Sequence, residues 1–393
     1  MADDNLGQAS HPAESPKPSG IREFLLKVML ALGSVFFVLV VVEVYLRVTT
    51  PKEVMRYFFV SPDQVLHHRF TPGAAGRYQS TEFNTEYTIN SHGLRDREFP
   101  LQKPEGTRRI LMLGDSFTEG DGVELRETFS KVIEDRLRRS GEPRVEIINA
   151  GVGSYSPILE YLYLKREGLR LQPDMVVLNL DLSDFYDDIT YTRLARLDSN
   201  GIPLSVSPDG ADPESRSFPT VVKDFFKEHT RLYNWVRIRI NRYIEGARHE
   251  GNFSGDIRFD KYAMLRENHA AADDREWTLS YRYLLLIRDL LKEQGIDFWI
   301  TVYPYGVQVS PKEWNAGRVF WGFKQDTLYS IRPQSFVEEF GRKSGIHVVN
   351  LCQQMRDSSA TVFPMYLADN GHFTPRGHQI VAGILEREMK ARR

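Results

Sequence analysis

The 393-residue chain contains a single cysteine, Cys352. One cysteine excludes an intrachain disulfide, and it also excludes a zinc site built from four cysteines. Cys352 follows the apolar residues Val348, Val349 and Leu351. Because free cysteines in apolar surroundings are usually buried, we expect a structural thiol here and not a nucleophile.

The chain also lacks an excess of charge of either sign. Lys and Arg number 51, Asp and Glu number 53, and the net charge is −2. Proteins that bind nucleic acid usually carry a basic excess, so no nucleic-acid partner is expected. No internal repeat is visible. The 41% of hydrophobic and 26% of charged residues are typical of a globular protein and exclude a wholly disordered or fibrous chain.

Large apolar residues are scarce at the N-terminus and then suddenly abundant. Residues 1–22 are polar and predict a disordered tail. The following stretch, 24–46, is predominantly apolar, with Lys27 and Glu43 on either side of an uncharged run. Twenty-three helical residues span about 35 Å, enough for a hydrocarbon core of about 30 Å. We therefore predict a transmembrane anchor over 23–47 that contacts the lipid bilayer through 24–46.

Two alternatives to an anchor are a buried core helix and a cleaved signal peptide. The stretch has no polar face, which argues against a core helix beside a disordered tail. It ends in Glu43-Val44-Tyr45-Leu46-Arg47, which lacks the small residues of a cleavage site. An uncleaved single-pass anchor is the preferred interpretation.

The orientation of this anchor does not follow from charge. Three basic residues precede the span and three follow it: Lys17, Arg22, Lys27, then Arg47, Lys52 and Arg56. The positive-inside rule therefore favours neither orientation. From the general habit of N-terminal signal anchors, we hypothesise that the C-terminal part lies outside the cytoplasm, in the periplasm.

Beyond the anchor, the hydrophobic pattern alternates between strand and helix periods. The expected strands are 109–113, 145–148, 175–180, 296–302 and 346–351, and the expected helices are 128–139, 157–167, 277–293, 334–343 and 375–389. Strands that alternate with helices through short connections predict a parallel sheet with helices on both faces. A loosely alternating segment, Arg77 to Ile89, predicts a short hairpin before that sheet.

Ser116 follows directly on the first strand of this pattern, in the run Gly114-Asp115-Ser116-Phe117. Ligands of open α/β sheets bind at the carboxyl edge of the strands, where this serine would lie. A serine that merely caps a turn is the alternative. Near the other end of the chain, Asp369 and His372 share one loop. A histidine there can take the serine proton, and a nearby carboxylate can orient the imidazole. His378, on the first turn of the last helix, is expected to be structural.

These residues resemble the motif blocks of the SGNH/GDSL family of serine esterases and acyltransferases. Gly114–Phe117 is similar to the first block, Asn149–Gly153 to the second and Asp369-x-x-His372 to the last. The segment Ile89–Asp96 resembles membrane-anchored members. The resemblance covers roughly 85–190 and 275–390, and an insertion at about 190–275 lies outside it.

The resemblance implies a flavodoxin-like three-layer α/β/α fold preceded by one transmembrane helix. It divides the chain into the tail, the anchor, a lead-in segment with short strands over 48–106, and an SGNH hydrolase-like domain over 107–393. It also implies roles: Ser116 is the nucleophile, His372 the base and Asp369 its orienting acid. The oxyanion hole would comprise the N–H groups of Ser116 and Gly153, with Gly151 as the fallback. No cofactor or metal is expected.

One block departs from the family pattern. The family has Gly-x-Asn-Asp after the third strand, but here the position of the asparagine is occupied by Ser183. A serine hydroxyl can still donate to an oxyanion, so Ser183 is the expected third donor. Losing one such donor costs about 100- to 1000-fold in a well-studied protease. The neighbouring acidic residues, Asp181, Asp184, Asp187 and Asp188, are interpreted as a solvated loop, with a metal site as the alternative.

The sequence supports two kinds of function. The first is a membrane-anchored serine esterase acting on an acylated cell-envelope carbohydrate or lipid, or an O-acyltransferase that passes the acyl group to an envelope polysaccharide. The second is a catalytically weak scaffold or glycan-binding protein with the same fold, which the Ser183 substitution favours. Aromatic residues of the insertion offer either a carbohydrate platform or simple packing: Phe225, Phe226, Tyr233, Trp235 and Tyr243.

Overall fold

A computed structural model describes residues 20–49, 59–208 and 275–392, together with isolated positions between 222 and 236. The chain divides into two compact units, one comprising Met1–Pro51 with Lys223–Ile238 and the other Lys52–Val222 with Arg239–Arg393. The predicted tail lies outside the described residues, apart from its last three positions. Most of the insertion, including Trp235 and Tyr243, also lies outside them.

The first unit contains one long helix, α1, over Gly20–Thr49. Its stretch Arg22–Val48 is 27 residues long, has a mean hydropathy of 2.7 and buries none of its most apolar window. That exposure is unlike a core helix. By length and composition the helix is able to cross a membrane, and a signal sequence would share these properties.

The second unit begins with two small antiparallel pairs. Strands β1 (Val60–Asp63) and β2 (His67–Phe70) form the first pair, and β3 (Ala75–Gln79) and β4 (Asn84–Thr88) form the second. The hairpin predicted from alternation is thereby confirmed. Buried and exposed residues alternate along β4, and Tyr87 is one of its fully buried residues. Both pairs belong to the lead-in segment.

Five parallel strands form the central sheet. They are β5 (Arg108–Gly114), β6 (Val145–Gly151), β7 (Met175–Leu180), β10 (Asp297–Val302) and β11 (His347–Asn350). A small antiparallel pair, β8 (Ala195–Leu197) and β9 (Pro203–Val206), lies between β7 and β10 in the sequence. The spatial order is β11-β10-β7-β5-β6. In sequence order of the sheet strands this is 2-1-3-4-5, the flavodoxin-like arrangement, whose switch point lies between β5 and β7. The predicted α/β fold and all five predicted strands are confirmed.

Helices cover both faces of this sheet. The described α-helices of the second unit are α2 (Ser116–Glu119), α3 (Phe129–Arg139), α4 (Pro157–Arg166), α5 (Ser183–Leu194), α6 (Arg275–Glu293), α7 (Gly306–Val309), α8 (Asn315–Phe320), α9 (Arg332–Ser344), α10 (Cys352–Ser358) and α11 (Pro375–Ala391). Helices α3 and α11 pack together, while α4, α5 and α6 form a second group. Tyr281 of α6 stacks on Phe340 of α9 at 4.0 Å, which adds α9 to that group. The result is three layers.

Continuous burial explains why each strand contains an uninterrupted apolar run. Ile110, Leu111 and Met112 are all fully buried, as strands covered on both faces must be. Cys352 is fully buried too, which confirms its structural interpretation, although it begins α10 and does not end a strand. Burial raises the pKa of its thiol well above the usual value, which disfavours a thiolate.

A buried ion pair joins the lead-in segment to the sheet. The ammonium of Lys131, on α3, lies 2.6 Å from the carboxylate of Asp96 and also donates to the carbonyl of Ile147 in β6. Asp96 accepts a second bond, 2.8 Å, from the backbone N–H of Asn149. Burial raises the Asp96 pKa, and the charge of Lys131 opposes that shift. The lead-in segment is therefore part of the second unit's core.

Candidate functional site

The turn that carries Ser116 leaves β5 at Gly114 and enters α2 immediately. Asp115 caps α2 by accepting a 3.0 Å bond from the Phe117 N–H. Gly114 has φ of +148°, and a Cβ there would lie 2.1 Å from Thr118 Oγ1. Only glycine therefore lets α2 fold back against the strand ends. Ser116 consequently lies at the carboxyl edge of the sheet, beside the switch point.

The structure brings Ser116 and His372 together. Ser116 Oγ lies 2.7 Å from His372 Nε2, although 256 residues separate them in sequence. His372 lies in the loop that precedes α11, and Phe117 packs against its ring with the ring centroids 4.7 Å apart. The hydroxyl and imidazole are within proton-transfer distance, as nucleophilic catalysis requires.

Asp369 is in a different position from that expected of an orienting acid. Its side chain is exposed. Its backbone carbonyl accepts a 3.2 Å bond from Trp314 Nε1. Among the described residues, no hydrogen bond or ion pair reaches its carboxylate.

Two other side chains approach His372 Nδ1. The amide oxygen Oδ1 of Asn370 makes a short hydrogen bond to it, and Asp121 Oδ2 lies 4.0 Å away. Asp121 is 2% exposed and follows α2 directly, between Gly120 and Gly122, which both have positive φ. Neither Asn370 nor Asp121 stood out in the sequence. The Gly120-Asp121-Gly122 run was the available signal of a tight turn beside the nucleophile.

The backbone donors expected in the second block are engaged elsewhere. The Gly153 N–H donates to Glu119 Oε2 at 2.7 Å, and the Gly151 N–H donates to Asn149 Oδ1 at 3.0 Å. The next residue, Ser154, is exposed and has φ of +62°. Within the described ranges, its N–H has no acceptor. A non-glycine residue in this conformation is uncommon and often marks a functional turn.

Ser183 is the first residue of α5 and is half-buried. Its hydroxyl and its backbone N–H both lie 2.6 Å from Asp181 Oδ1, and each donates to it. The Asp181 N–H in turn donates to Asp184 at 2.7 Å. These bonds build the turn between β7 and α5.

We expect Ser183→Ala to leave kcat on a chromogenic acetyl ester within about twofold of wild type, because the hydroxyl donates to Asp181 and not toward Ser116. Removing a true oxyanion donor costs about 100- to 1000-fold. Steady-state kinetics measure the difference. A loss of tenfold or more in kcat with KM unchanged would restore Ser183 to the oxyanion hole.

The interpretation of the acidic residues as a solvated loop is wrong. Asp184 and Asp188 are buried on the inward face of α5, and Asp181 is buried in the turn that precedes this helix. Burial, opposed by the nearby Ser280 hydroxyl and by hydrogen bonds from Ile158 and Ser156, raises the Asp188 pKa to about 7. Burial and neighbouring carboxylates raise the Asp184 pKa well above its usual value. Nowhere in the described ranges do three His, Cys, Asp or Glu side chains form a group able to hold a metal ion.

His378 is structural, as predicted. Its ring is fully buried on the first turn of α11, and its Nδ1 accepts a 3.1 Å bond from the Phe129 N–H. Burial first, then the charges of Arg95 and His372, lowers its pKa to about 3. The ring is therefore neutral at physiological pH and holds α11 against α3.

The lead-in segment contacts the loops that carry the site residues. His68 Nε2 lies 2.8 Å from the Gly153 carbonyl, to which it donates. Arg95, 1% exposed, donates to the carbonyls of Glu119, Gly120 and Val123, which enclose Asp121. A third contact comes from the tip of the β3–β4 hairpin. There the Glu82 carboxylate accepts from the N–H groups of Ala368 and Asn370, the latter at 2.8 Å. These positioning contacts were missed from sequence, although Arg95 lies within the Ile89–Asp96 motif.

No family model matches the sequence, and no curated protein matches it either. Among solved structures, the acetyl xylan esterase AlAXEase is similar over 71% of this chain and 98% of its own, with 12% identity and a TM-score of 0.37. A lipase/acylhydrolase from Enterococcus faecalis is similar over 73% and 97%, with 17% identity and a TM-score of 0.37. A mutant of Axe2, an acetylxylan esterase from Geobacillus stearothermophilus, is similar over 73% and 96%, with 11% identity and a TM-score of 0.39.

Proposed function

We propose that this protein is a serine-dependent esterase. The observation that carries the proposal is the 2.7 Å contact between Ser116 Oγ and His372 Nε2 at the carboxyl edge of the sheet. An uncharged hydroxyl is a weak nucleophile, and an imidazole at this distance can remove its proton during attack on an ester carbonyl. His372 then returns the proton to the leaving alcohol, and water repeats the cycle on the acyl-enzyme.

The oxyanion of the tetrahedral intermediate needs backbone donors near Ser116. Residues Gly114 and Gly151 are paired across the sheet, so the chain segments that follow them run side by side at its edge. We propose the N–H groups of Ser116 and Ser154 as the donors, since those of Gly151 and Gly153 already have acceptors. Donors fixed in advance stabilise developing charge without reorganisation.

A cleft of about 600 Å³ beside the His372 loop is the proposed site for the alcohol part of the ester. It is lined by residues that include Glu82, Lys312, Trp314, Asn315, Leu367 and Ala368. Its mixture of charged, amide and aromatic side chains suits a leaving group rich in hydroxyls, such as a carbohydrate. With α1 as a membrane anchor, the proposed substrate is an acylated cell-envelope carbohydrate or lipid, reached from the periplasmic side.

The test is covalent labelling with a serine-reactive fluorophosphonate. The full chain in detergent should label at Ser116, identified by peptide mass spectrometry, because only a serine activated by His372 attacks the phosphorus at a useful rate. Heat-unfolded protein and His372→Ala should not label. A folded protein that takes up no label would support the catalytically weak scaffold and overturn the esterase.

A further inference from the structure

We propose that the amide of Asn370 and the carboxylate of Asp121, and not the carboxylate of Asp369, orient and charge-balance the His372 imidazole. The inference rests on the proposed serine esterase function and names the positioning residues of that same site. It concerns the side of the imidazole opposite the nucleophile, where a neutral amide makes the hydrogen bond and a separate carboxylate supplies the charge.

The Asn370 side chain fixes which ring nitrogen carries the proton. The His372 backbone N–H donates to Asn370 Oδ1 at 3.3 Å, which assigns the amide oxygen to that position. Nδ1 makes a short bond to the same oxygen, and because an amide oxygen only accepts, Nδ1 carries the proton. The lone pair on Nε2 then faces Ser116 Oγ, as a general base requires.

An amide orients the ring but cannot offset the charge that the imidazole gains when it takes the serine proton. Asp121 Oδ2, 4.0 Å from Nδ1 and almost fully buried, is placed to do so. An opposite charge at about 4–6 Å favours the protonated ring, and burial weakens solvent screening. Asp369 is the acid nearest to His372 in the sequence, but its side chain is exposed to solvent.

Both positioning residues are held by the lead-in segment. Glu82 accepts from the Asn370 N–H at 2.8 Å and so fixes the loop from outside. Arg95 donates to three carbonyls of the turn that carries Asp121, two of them at 2.9 and 2.6 Å. A Cβ on Gly122 would lie 2.6 Å from Leu367 Cδ1, so the turn and the His372 loop are in close contact. The positions of the groups around His372 Nδ1 therefore depend on contacts from several elements and not on one loop alone.

The experiment compares four variants of the full chain in detergent, using p-nitrophenyl acetate. Asn370→Ala should lower kcat about 10- to 1000-fold with KM little changed, because the reactive tautomer is no longer held. Asn370→Asp should restore orientation and keep or raise kcat. Asp121→Asn should lower kcat about tenfold, since it removes the charge that stabilises the imidazolium. The matched control, Asp369→Asn, should stay within about twofold of wild type, the scatter expected when no interaction with the transition state is lost.

The pH profile shows whether Asp121 acts on His372 through its charge or only supports the local structure. Removing the negative charge of Asp121 disfavours the imidazolium, so Asp121→Asn should move the acid limb of kcat/KM to lower pH. Asn370→Asp adds a charge and should move it to higher pH. The other charged or titratable groups around His372 include Asp115, beside Ser116, and Asp369 on the same loop. Glu82 contacts that loop from the β3–β4 hairpin, Arg95 contacts the Asp121 turn, and His378 on α11 is neutral in this range.

A loss of activity in Asp369→Asn that exceeds the loss in Asn370→Ala would overturn the inference. This outcome can be told apart from a failure of the esterase proposal. If the esterase proposal is wrong, the wild-type protein shows no turnover that depends on Ser116. In that case ¹⁵N NMR of His372, assigned with His372→Gln, still tests the inference. The wild-type ring should be the Nδ1–H tautomer, and its pKa should fall in Asp121→Asn but not in Asp369→Asn. Any other pattern of NMR results contradicts it.

Discussion

Replacing Ser116 by alanine should reduce kcat on p-nitrophenyl acetate by about 10³- to 10⁶-fold, the range found when one member of a serine–histidine pair is removed. Alanine removes the attacking oxygen but leaves β5, α2 and the backbone N–H groups in place. KM should change little, because binding does not need the hydroxyl. His372→Ala should cost about as much, since Ser116 and His372 are in contact at 2.7 Å and act as one unit.

The double variant decides whether the two residues share one mechanism. The variant that combines Ser116→Ala with His372→Ala should have about the same kcat as either single variant. When two residues act in the same step, removing the second has no further effect on the rate. Ser140→Ala, an exposed serine at the end of α3, is the control and should keep full activity. Residual activity of Ser116→Ala above about a tenth of wild type would place the nucleophile elsewhere.

The second large effect is on stability. Lys131→Met should lower the free energy of unfolding by about 3–5 kcal/mol, the typical cost of breaking a buried ion pair from one side. Methionine fills a similar volume but leaves the buried carboxylate of Asp96 without its cation. Glu134, the other acid 3.4 Å from the ammonium, still has Arg97 and Arg138 as partners. Urea unfolding followed by circular dichroism gives the change.

The pH dependence of that loss identifies Asp96 as its origin. The Asp96 pKa is raised by burial in the folded protein, so its unfavourable contribution is present at neutral pH and disappears as protons bind on acidification. The deficit of Lys131→Met should therefore shrink as the pH is lowered from neutral. Arg139→Met, which removes an exposed ion pair with Asp135 on the same helix, should cost about 0–1 kcal/mol at any pH. Equal losses in the two variants would contradict the role of burial.

The sequence predicts the sheet well because parallel strands covered on both faces contain uninterrupted apolar runs. Residues 175–180 were expected as a strand and form one with those bounds. The same reasoning failed for the acids that follow. Positions 184 and 188 have the spacing of one helical face, which helix α5 turns inward, and Asp181 lies in the buried turn before the helix. The absence of apolar residues at these positions concealed the helix.

The Ser116–His372 pair was predictable because each residue lies in a short motif at the end of a recognisable element. The groups around His372 Nδ1 were not. Asp369 and Asn370 are adjacent in a loop, and which of them faces the imidazole depends on backbone direction, which residue types do not encode. Here that direction depends on Glu82, a distant hairpin residue.

The long sequence separation between Glu82 and the His372 loop also limits how early this site can form. The two bonds of Glu82 span 286 and 288 residues of chain. At a synthesis rate of about 5–20 residues per second, roughly 15–60 s pass between the making of Glu82 and the making of Asn370. During that interval the β3–β4 hairpin and the turn that carries Ser116 are made before the loop that carries His372. In a nascent chain the proposed Ser116–His372 pair therefore cannot form until nearly the whole polypeptide has been made.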